Sequence, residues 1–152
     1  MSRTRFFVQF WLPVLAWMTV IFSASSDHAS FEHSSRIIGP LLHWVFPHIT
    51  EPTVDSVVFV VRKLAHLTEY AVLALLVWRL LANRGPHSVP AWSWSDFRLT
   101  VLIVFLYAAS DEFHQRFVPS REASVWDVLL DTAGGLLALI LVWLLGRWRR
   151  RC

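Results

Sequence analysis

Four apolar stretches dominate the chain, and each is long enough to cross a lipid bilayer as a helix. They cover about residues 6–24, 57–81, 99–117 and 125–145. A span needs about 20 apolar residues to cross a hydrocarbon core roughly 30 Å thick. Lipid offers no partners to backbone N–H and C=O groups, so each span must satisfy them internally as a helix. We therefore predict an all-α polytopic membrane protein. Its four transmembrane helices form a small bundle and a single domain over residues 1–152.

Composition supports a membrane protein. Of the 152 residues, 55% are hydrophobic and 16% are charged, whereas an average soluble domain carries about 25% charged residues. Basic residues flank the apolar stretches, with Arg3 and Arg5 before the first and four arginines between residues 147 and 151. Flanking basic residues mark topology, so we predict no nucleic-acid partner. The single cysteine, Cys152, excludes an internal disulfide and a thiolate metal cluster, and we predict no metal and no cofactor.

The distribution of Lys and Arg predicts the orientation. The N-terminal segment, the loop near Arg84 and the C-terminal segment are basic, whereas loop 25–56 holds one arginine and four acidic residues. Cytoplasmic loops carry an excess of Lys and Arg. We therefore expect both termini in the cytoplasm, and loop 25–56 and the turn at 119–123 outside. A cleaved secretory signal is the alternative for the first stretch, but that stretch is long and contains Pro13.

Loop 25–56 carries an apolar cluster between residues 34 and 47 that includes Trp44. Trp favours the headgroup level of a bilayer, which predicts a short interfacial or re-entrant helix. A plain extracellular loop is the alternative, and the sequence does not separate the two. Four histidines in this loop match no zinc-site spacing and indicate solvated or interfacial side chains. They are His28, His33, His43 and His48.

Ionisable residues occur inside the last three stretches, where each costs about 2.5–3.5 kcal/mol and by default marks a functional site. Successive residues of a helix turn by about 100°. One face of the second stretch therefore carries Arg62, Lys63, His66, Glu69 and Tyr70. The opposite face, which includes Val58 and Leu76, is suited to lipid.

The third and fourth stretches carry polar residues in the same way. Asp111, Glu112 and Gln115 share an arc near the end of the third, and Asp127 and Asp131 lie one turn apart in the fourth. Gly134 and Ala138 extend the Asp127 face as a small-xxx-small pair, which allows close helix approach.

The predicted topology brings these groups to one level in the outer half of the bundle, with Arg121 in the turn above them. We predict that they form one ligand site. Its residues are Lys63, His66, Glu69, Tyr70, Asp111, Glu112, Gln115, Arg121, Asp127 and Asp131. The alternative is a salt-bridged network that only holds the helices together. Buried ion pairs are weak evidence for stability, which favours the ligand site.

Three kinds of activity fit such a site. In the first, Lys63 and Arg121 bind the phosphate or carboxylate of a lipid headgroup. In the second, the chain is an intramembrane enzyme on a lipid-linked phosphate, with His66 as base and Glu69 as its orienting acid. The candidate catalytic residues are then His66, Glu69, Asp111, Glu112, Asp127 and Asp131. The carboxylates of the last four suit a hard divalent cation. The third is proton-coupled transport through Glu and His. No nucleophile motif such as G-x-S-x-G is present, so the sequence does not assign a catalytic nucleophile.

Three sequence blocks carry a family resemblance. The first is Lys63-Leu64-Ala65-His66-Leu67-Thr68-Glu69-Tyr70, and the second runs from Ser110 through Asp111-Glu112 and Gln115 to Pro119-Ser120-Arg121. The third runs from Asp127 to Gly134. Together with Trp17 and Phe22-Ser23-Ala24-Ser25-Ser26, they resemble the VanZ-like family. Ser120 stands where family members often have glycine, and the His-rich loop matches no family pattern.

The resemblance implies a small multi-pass protein of the bacterial cytoplasmic (inner) membrane with a role in the cell envelope. The founding member of the family is associated with teicoplanin resistance, which makes glycopeptide resistance a hypothesis for this chain. The family supplies no settled reaction. The expected partners are the bilayer itself and a lipid-linked cell-wall precursor or a phospholipid, and no oligomeric state is predicted.

Overall fold

A computed structural model describes residues 2–25, 31–83, 92–117 and 124–149, and all the regular structure within these ranges is helical. A π-helical segment, Phe7–Trp11, joins the first two α-helices. The α-helices are α1 (Arg3–Phe6), α2 (Leu12–Ala24), α3 (Phe31–Val45), α4 (Glu51–Ala82), α5 (Trp94–Gln115) and α6 (Val125–Arg149). The all-α prediction is confirmed.

The π-helical segment has a local cause in Pro13, which lies in the first turn of α2. Proline lacks an N–H, and its ring clashes with the carbonyl four residues earlier, here that of Gln9. Gln9 lies inside the π-helical segment, where the wider turn relieves the clash. The helix therefore continues through the proline from Arg3 to Ala24.

Three helices in the described ranges are long and apolar enough to cross a membrane: Arg3–Ala24, Glu51–Ala82 and Val125–Trp148. The predicted third span, residues 99–117, is helical as α5 but is not among them. Charged residues near both ends of α5 leave an uncharged stretch only from Leu99 to Ser110, which is short for a bilayer core.

The predicted loop 25–56 contains a helix, α3, that packs against the beginning of α4. A Cβ added to Gly39 of α3 would lie 3.7 Å from the Val54 side chain. His43 of α3 also pairs with Glu51 of α4, with 3.3 Å between Nε2 and Oε1. Helix α4 therefore begins earlier than the predicted residue 57. Val58, expected on a lipid-facing surface, is instead fully buried because this part of α4 packs against other helices.

Contacts between the helices give their directions. Tyr107 and Asp111 of α5 bond, in the same order along the chain, to the Met18 carbonyl of α2 and to Ser25, the residue that follows α2. Helices α2 and α5 are therefore parallel.

Helices α4 and α6 are parallel as well. Lys63 pairs with Asp127, and Leu67 meets Gly134 further along both helices. Helix α5 is antiparallel to α4. Asp111 of α5 contacts Tyr70 of α4. Val104, which comes earlier in α5, and Ala74, which comes later in α4, both lie against Gly135. The four long helices thus alternate in direction.

Glycines allow the close approach of α4 and α6. A Cβ on Gly134 would fall on the carbonyl oxygen of Leu67 and lie 3.1 Å from its Cα. A Cβ on Gly135 would lie 3.1 Å from Val104 and 3.3 Å from Ala74. The small-residue interface predicted on α6 is confirmed at Gly134.

Large apolar side chains cover much of the outer surface. Val60, Leu64, Leu102, Leu106, Leu137 and Leu141 are all at least half exposed. An apolar surface this extensive is unfavourable in water and suits contact with lipid. The polar groups described next point inward, between the helices.

Candidate functional site

Asp111 of α5 accepts hydrogen bonds from three side chains at one carboxylate oxygen, Oδ2. Its donors are Ser25 Oγ at 2.6 Å, Gln115 Nε2 at 3.2 Å and Tyr70 OH at 3.3 Å. Asp111 is 3% exposed and Ser25 is 0% exposed. A buried carboxylate needs such donors to offset the loss of its water. Asp111 therefore links α2, α4 and α5.

Lys63 and Asp127 form an ion pair between α4 and α6, from Nζ to Oδ1. Their side chains remain 29% and 27% exposed, so this pair borders the surface. Of this pair and the His66–Asp131 pair described next, Lys63–Asp127 is the more accessible.

His66 and Asp131 lie one turn further along the same two helices. The distance from His66 Nδ1 to Asp131 Oδ2 is 3.8 Å, too long for a direct hydrogen bond. Asp131 is 3% exposed. It interacts electrostatically with the carboxyl groups of Asp111, Glu112, Asp127 and Glu69. Acidic groups from three helices therefore lie close enough to this buried carboxyl to interact with it.

Glu112 joins the end of α5 to the beginning of α6. Its Oε1 accepts a hydrogen bond from the backbone N–H of Ser124, the residue before α6. The carboxyl also interacts with Asp127, Asp111 and Lys63. Glu112 is buried and close enough to these groups to belong to the same electrostatic network.

Glu69 lies on the partly buried face of α4 predicted from helix periodicity. Its backbone carbonyl accepts a 2.8 Å hydrogen bond from Trp17 Nε1 of α2. Its carboxyl reaches the site electrostatically through Asp131. Arg121, the remaining predicted site residue, lies outside the described residues.

The predicted residues that the structure describes are thus linked into one group by hydrogen bonds, ion pairs and electrostatic interactions. We call this group, with Ser25 added, the polar cluster. It comprises Ser25, Lys63, His66, Glu69, Tyr70, Asp111, Glu112, Gln115, Asp127 and Asp131. Five of its members are carboxylic acids.

Two buried oxygens of the polar cluster are exceptions to the rule that buried polar atoms are hydrogen-bonded. Asp111 Oδ1 and Asp131 Oδ1 have no hydrogen-bond partner among the described residues. Both atoms are acceptors when the carboxyl is ionised. The polar cluster therefore has a local excess of acceptors over donors.

The acidic residues are not arranged as a metal site. Among the residues that the structure describes, no group of three or more His, Cys, Asp or Glu side chains is placed to hold a metal ion. The divalent-cation hypothesis of the enzymatic alternative thus gains no support from their geometry. His114, next to the cluster in sequence, instead packs its ring on Phe22 with 4.4 Å between centroids.

Sequence reasoning missed two contributions from α2. The predicted loop 25–56 includes Ser25, yet this residue provides the shortest hydrogen bond to Asp111. Trp17 was noted only for the family resemblance, yet its indole N–H bonds to the backbone of α4. A lone serine at the end of an apolar stretch carries no periodic signal. The resemblance of residues 22–26 was the available clue to Ser25.

Comparison with known proteins supports the family indicated by these motifs. The family model described as VanZ/LLP1 matches residues 10–146, which include every residue of the polar cluster. No curated protein and no solved structure matches the chain. A family match over nearly the whole length identifies this helical membrane protein as a member of the VanZ/LLP1 family.

Proposed function

We propose that this VanZ/LLP1 protein binds the headgroup of an envelope lipid, either a lipid-linked cell-wall precursor or a phospholipid, at the polar cluster. The observation that carries the proposal is the gathering of five carboxylic acids and Lys63 from three helices, two of them candidate membrane spans. Ionisable groups inside a span are costly to insert and by default mark a functional site.

The proposal includes four crossings, with α5 as the third. Helix α5 packs against α4 and α6, and its direction alternates with theirs in the order expected for a chain that crosses repeatedly. Asp111, Glu112 and Gln115 are buried against the neighbouring helices, which removes their polar groups from contact with lipid. With both termini in the bacterial cytoplasm, the polar cluster lies in the outer half of the membrane.

Lys63 and Arg121 are the cations that bind the anionic part of the headgroup. Lys63 is accessible at the border of the cluster, where its partner Asp127 is also partly exposed. Arginine suits bidentate recognition of phosphate, and lysine acts as a point charge. A headgroup phosphate entering from the membrane surface meets Lys63 before the buried acids.

Native mass spectrometry of the purified protein with a bacterial lipid extract tests the proposal. The wild-type protein should retain lipid, and a variant carrying both Lys63→Met and Arg121→Met should lose most of it. A matched control removes two cations elsewhere, through Arg98→Met and Arg147→Met, and should bind as the wild type does. Equal lipid retention by the first variant and the wild type would refute the proposed site.

A contribution to glycopeptide resistance is a hypothesis within the same proposal, since the founding member of the family is associated with teicoplanin resistance. Expression in a susceptible Gram-positive host should raise the teicoplanin concentration needed to stop growth. The Lys63→Met and Arg121→Met variant should lose that increase at equal membrane abundance. Resistance that persists in this variant would separate the phenotype from the polar cluster.

A further inference from the structure

The polar cluster has more hydrogen-bond acceptors than donors, which limits the chemical groups that a ligand can place there. Asp111 uses Oδ2 for all three of its donors, and its Oδ1 has no partner among the described residues. Asp131 Oδ1 is in the same state, and both residues are more than nine-tenths buried. A ligand group that fits these two oxygens must bring hydrogen-bond donors.

The charges also favour a cationic ligand group. Asp131 interacts with four other carboxyl groups, while Lys63, the lysine of the cluster, is engaged by Asp127. A purely anionic headgroup gains from Lys63 but brings no donors to the two unpartnered oxygens, and each acid that is ionised repels it. A headgroup of both signs avoids that conflict, because its cation can balance the acids while its phosphate takes Lys63.

The spacing suits the two ends of one small headgroup. Lys63 lies at Asp127, and Asp131 lies one turn, about 6 Å, further along α6. The His66–Asp131 contact is 3.8 Å long, so Asp131 is not committed to a short bond with His66. In a small headgroup, an ammonium can lie two carbons away from the phosphate. With its phosphate at the partly exposed Lys63–Asp127 pair, such a headgroup extends its ammonium toward the buried acids.

Resting on the proposed function, we infer that the bound headgroup carries a primary ammonium beside its phosphate, which is the chemistry of phosphoethanolamine. The phosphate of the headgroup replaces the Asp127 carboxylate as the partner of Lys63. The ammonium donates its N–H groups to the acids of the cluster, with Asp131 and Asp111 as the principal acceptors.

A headgroup series with identical acyl chains tests this inference on the wild-type protein alone. The probes are phosphatidylethanolamine, its mono- and dimethylated forms, phosphatidylcholine and phosphatidylglycerol, each added to the detergent-solubilised protein for native mass spectrometry. Affinity should fall with each N–H that is lost. The ethanolamine lipid should bind roughly tenfold or more tightly than the choline lipid, the scale of a charge-assisted hydrogen bond. Equal affinity across the series would overturn the inference.

Variants locate the preference. Asp131→Asn and Asp111→Asn should each reduce the preference for ethanolamine over choline, whereas Asp96→Asn, a buried acid near the other end of α5, should keep it. Helical circular dichroism and a single monodisperse peak establish that each variant is folded. A preference that survives in both folded cluster variants would overturn the inference.

The two proposals fail differently. If phosphatidylglycerol binds more tightly than phosphatidylethanolamine and its binding still depends on Lys63, the inferred ammonium is wrong. The proposed lipid-binding function is then retained. Lipid binding that is unchanged by Lys63→Met, Asp111→Asn and Asp131→Asn would reject both.

Discussion

Ser25, at the end of α2, donates a 2.6 Å hydrogen bond to the buried carboxylate of Asp111 in α5. The bond joins residues 86 positions apart in sequence and ties the first candidate membrane span to the polar cluster. Because Ser25 is fully buried, shortening its side chain leaves the buried Asp111 oxygen without this donor.

Ser25→Ala should therefore destabilise the fold by about 1–3 kcal/mol, the scale for a buried acceptor that loses a donor. Ser23→Ala is the matched control. Ser23 is exposed, and its hydroxyl bonds to the Thr19 carbonyl of its own helix. Unfolding in mixed micelles, followed by Trp fluorescence, measures both. Equal effects of the two substitutions would show that the Asp111 bond adds no stability.

Gly134→Ala should destabilise the pairing of α4 and α6. The added Cβ falls on the Leu67 carbonyl, so the helices must separate, at a cost of about 1–3 kcal/mol. Gly146→Ala in the same helix is the control, because a Cβ there meets no atom within 4 Å. That control should be neutral or slightly stabilising, since alanine favours helices. Equal unfolding midpoints for the two variants in the same micelles would contradict this packing.

Lys63 and Asp127 should show a favourable coupling in a double-mutant cycle. With Lys63→Met, Asp127→Asn and the double variant, we expect a coupling of about 1 kcal/mol in the free energy of unfolding. Because both side chains are partly exposed, the coupling should shrink as salt rises. A coupling near zero at low salt would indicate that the pair does not hold α4 and α6 together.

The crossing by α5 should appear in cysteine labelling. In a Cys152→Ser background, Ser95→Cys and Arg116→Cys place single thiols at opposite ends of α5, both at exposed positions. A membrane-impermeant maleimide added to intact cells should label position 116, while position 95 should require permeabilised cells. Labelling of both thiols in intact cells would contradict the four-crossing topology.

Helix existence could be predicted from sequence because each long helix has an apolar stretch that lipid or the bundle must cover. Helix ends could not. Helix α4 begins at Glu51, in a segment with polar residues at Glu51 and Asp55 that carries no apolar run. The apolar pattern omits this start, although Pro52 in the first turn is a local start signal. The packing of α3 against α4 is a tertiary contact that no local pattern encodes.

The polar cluster was predictable to the level of helix faces. The spacing of Lys63 and His66 on α4 and of Asp127 and Asp131 on α6 follows from periodicity, and the structure pairs them in that order. The shared use of Asp111 Oδ2 by donors from α2, α4 and α5 was not predictable. Sequence periodicity assigns a residue to a face but says nothing about which neighbouring helix supplies its partner.

The contact between Gly134 and Leu67 has a consequence for how sequences of this kind can diverge. The atom that blocks a side chain at position 134 is a main-chain carbonyl, which every amino acid at position 67 would present alike. No replacement at position 67 can therefore compensate a larger residue at 134. Compensation would require a shift of α4 against α6, and such a shift would separate Lys63 from Asp127 and His66 from Asp131 together. Position 134 should thus tolerate change less than the charged residues that it aligns.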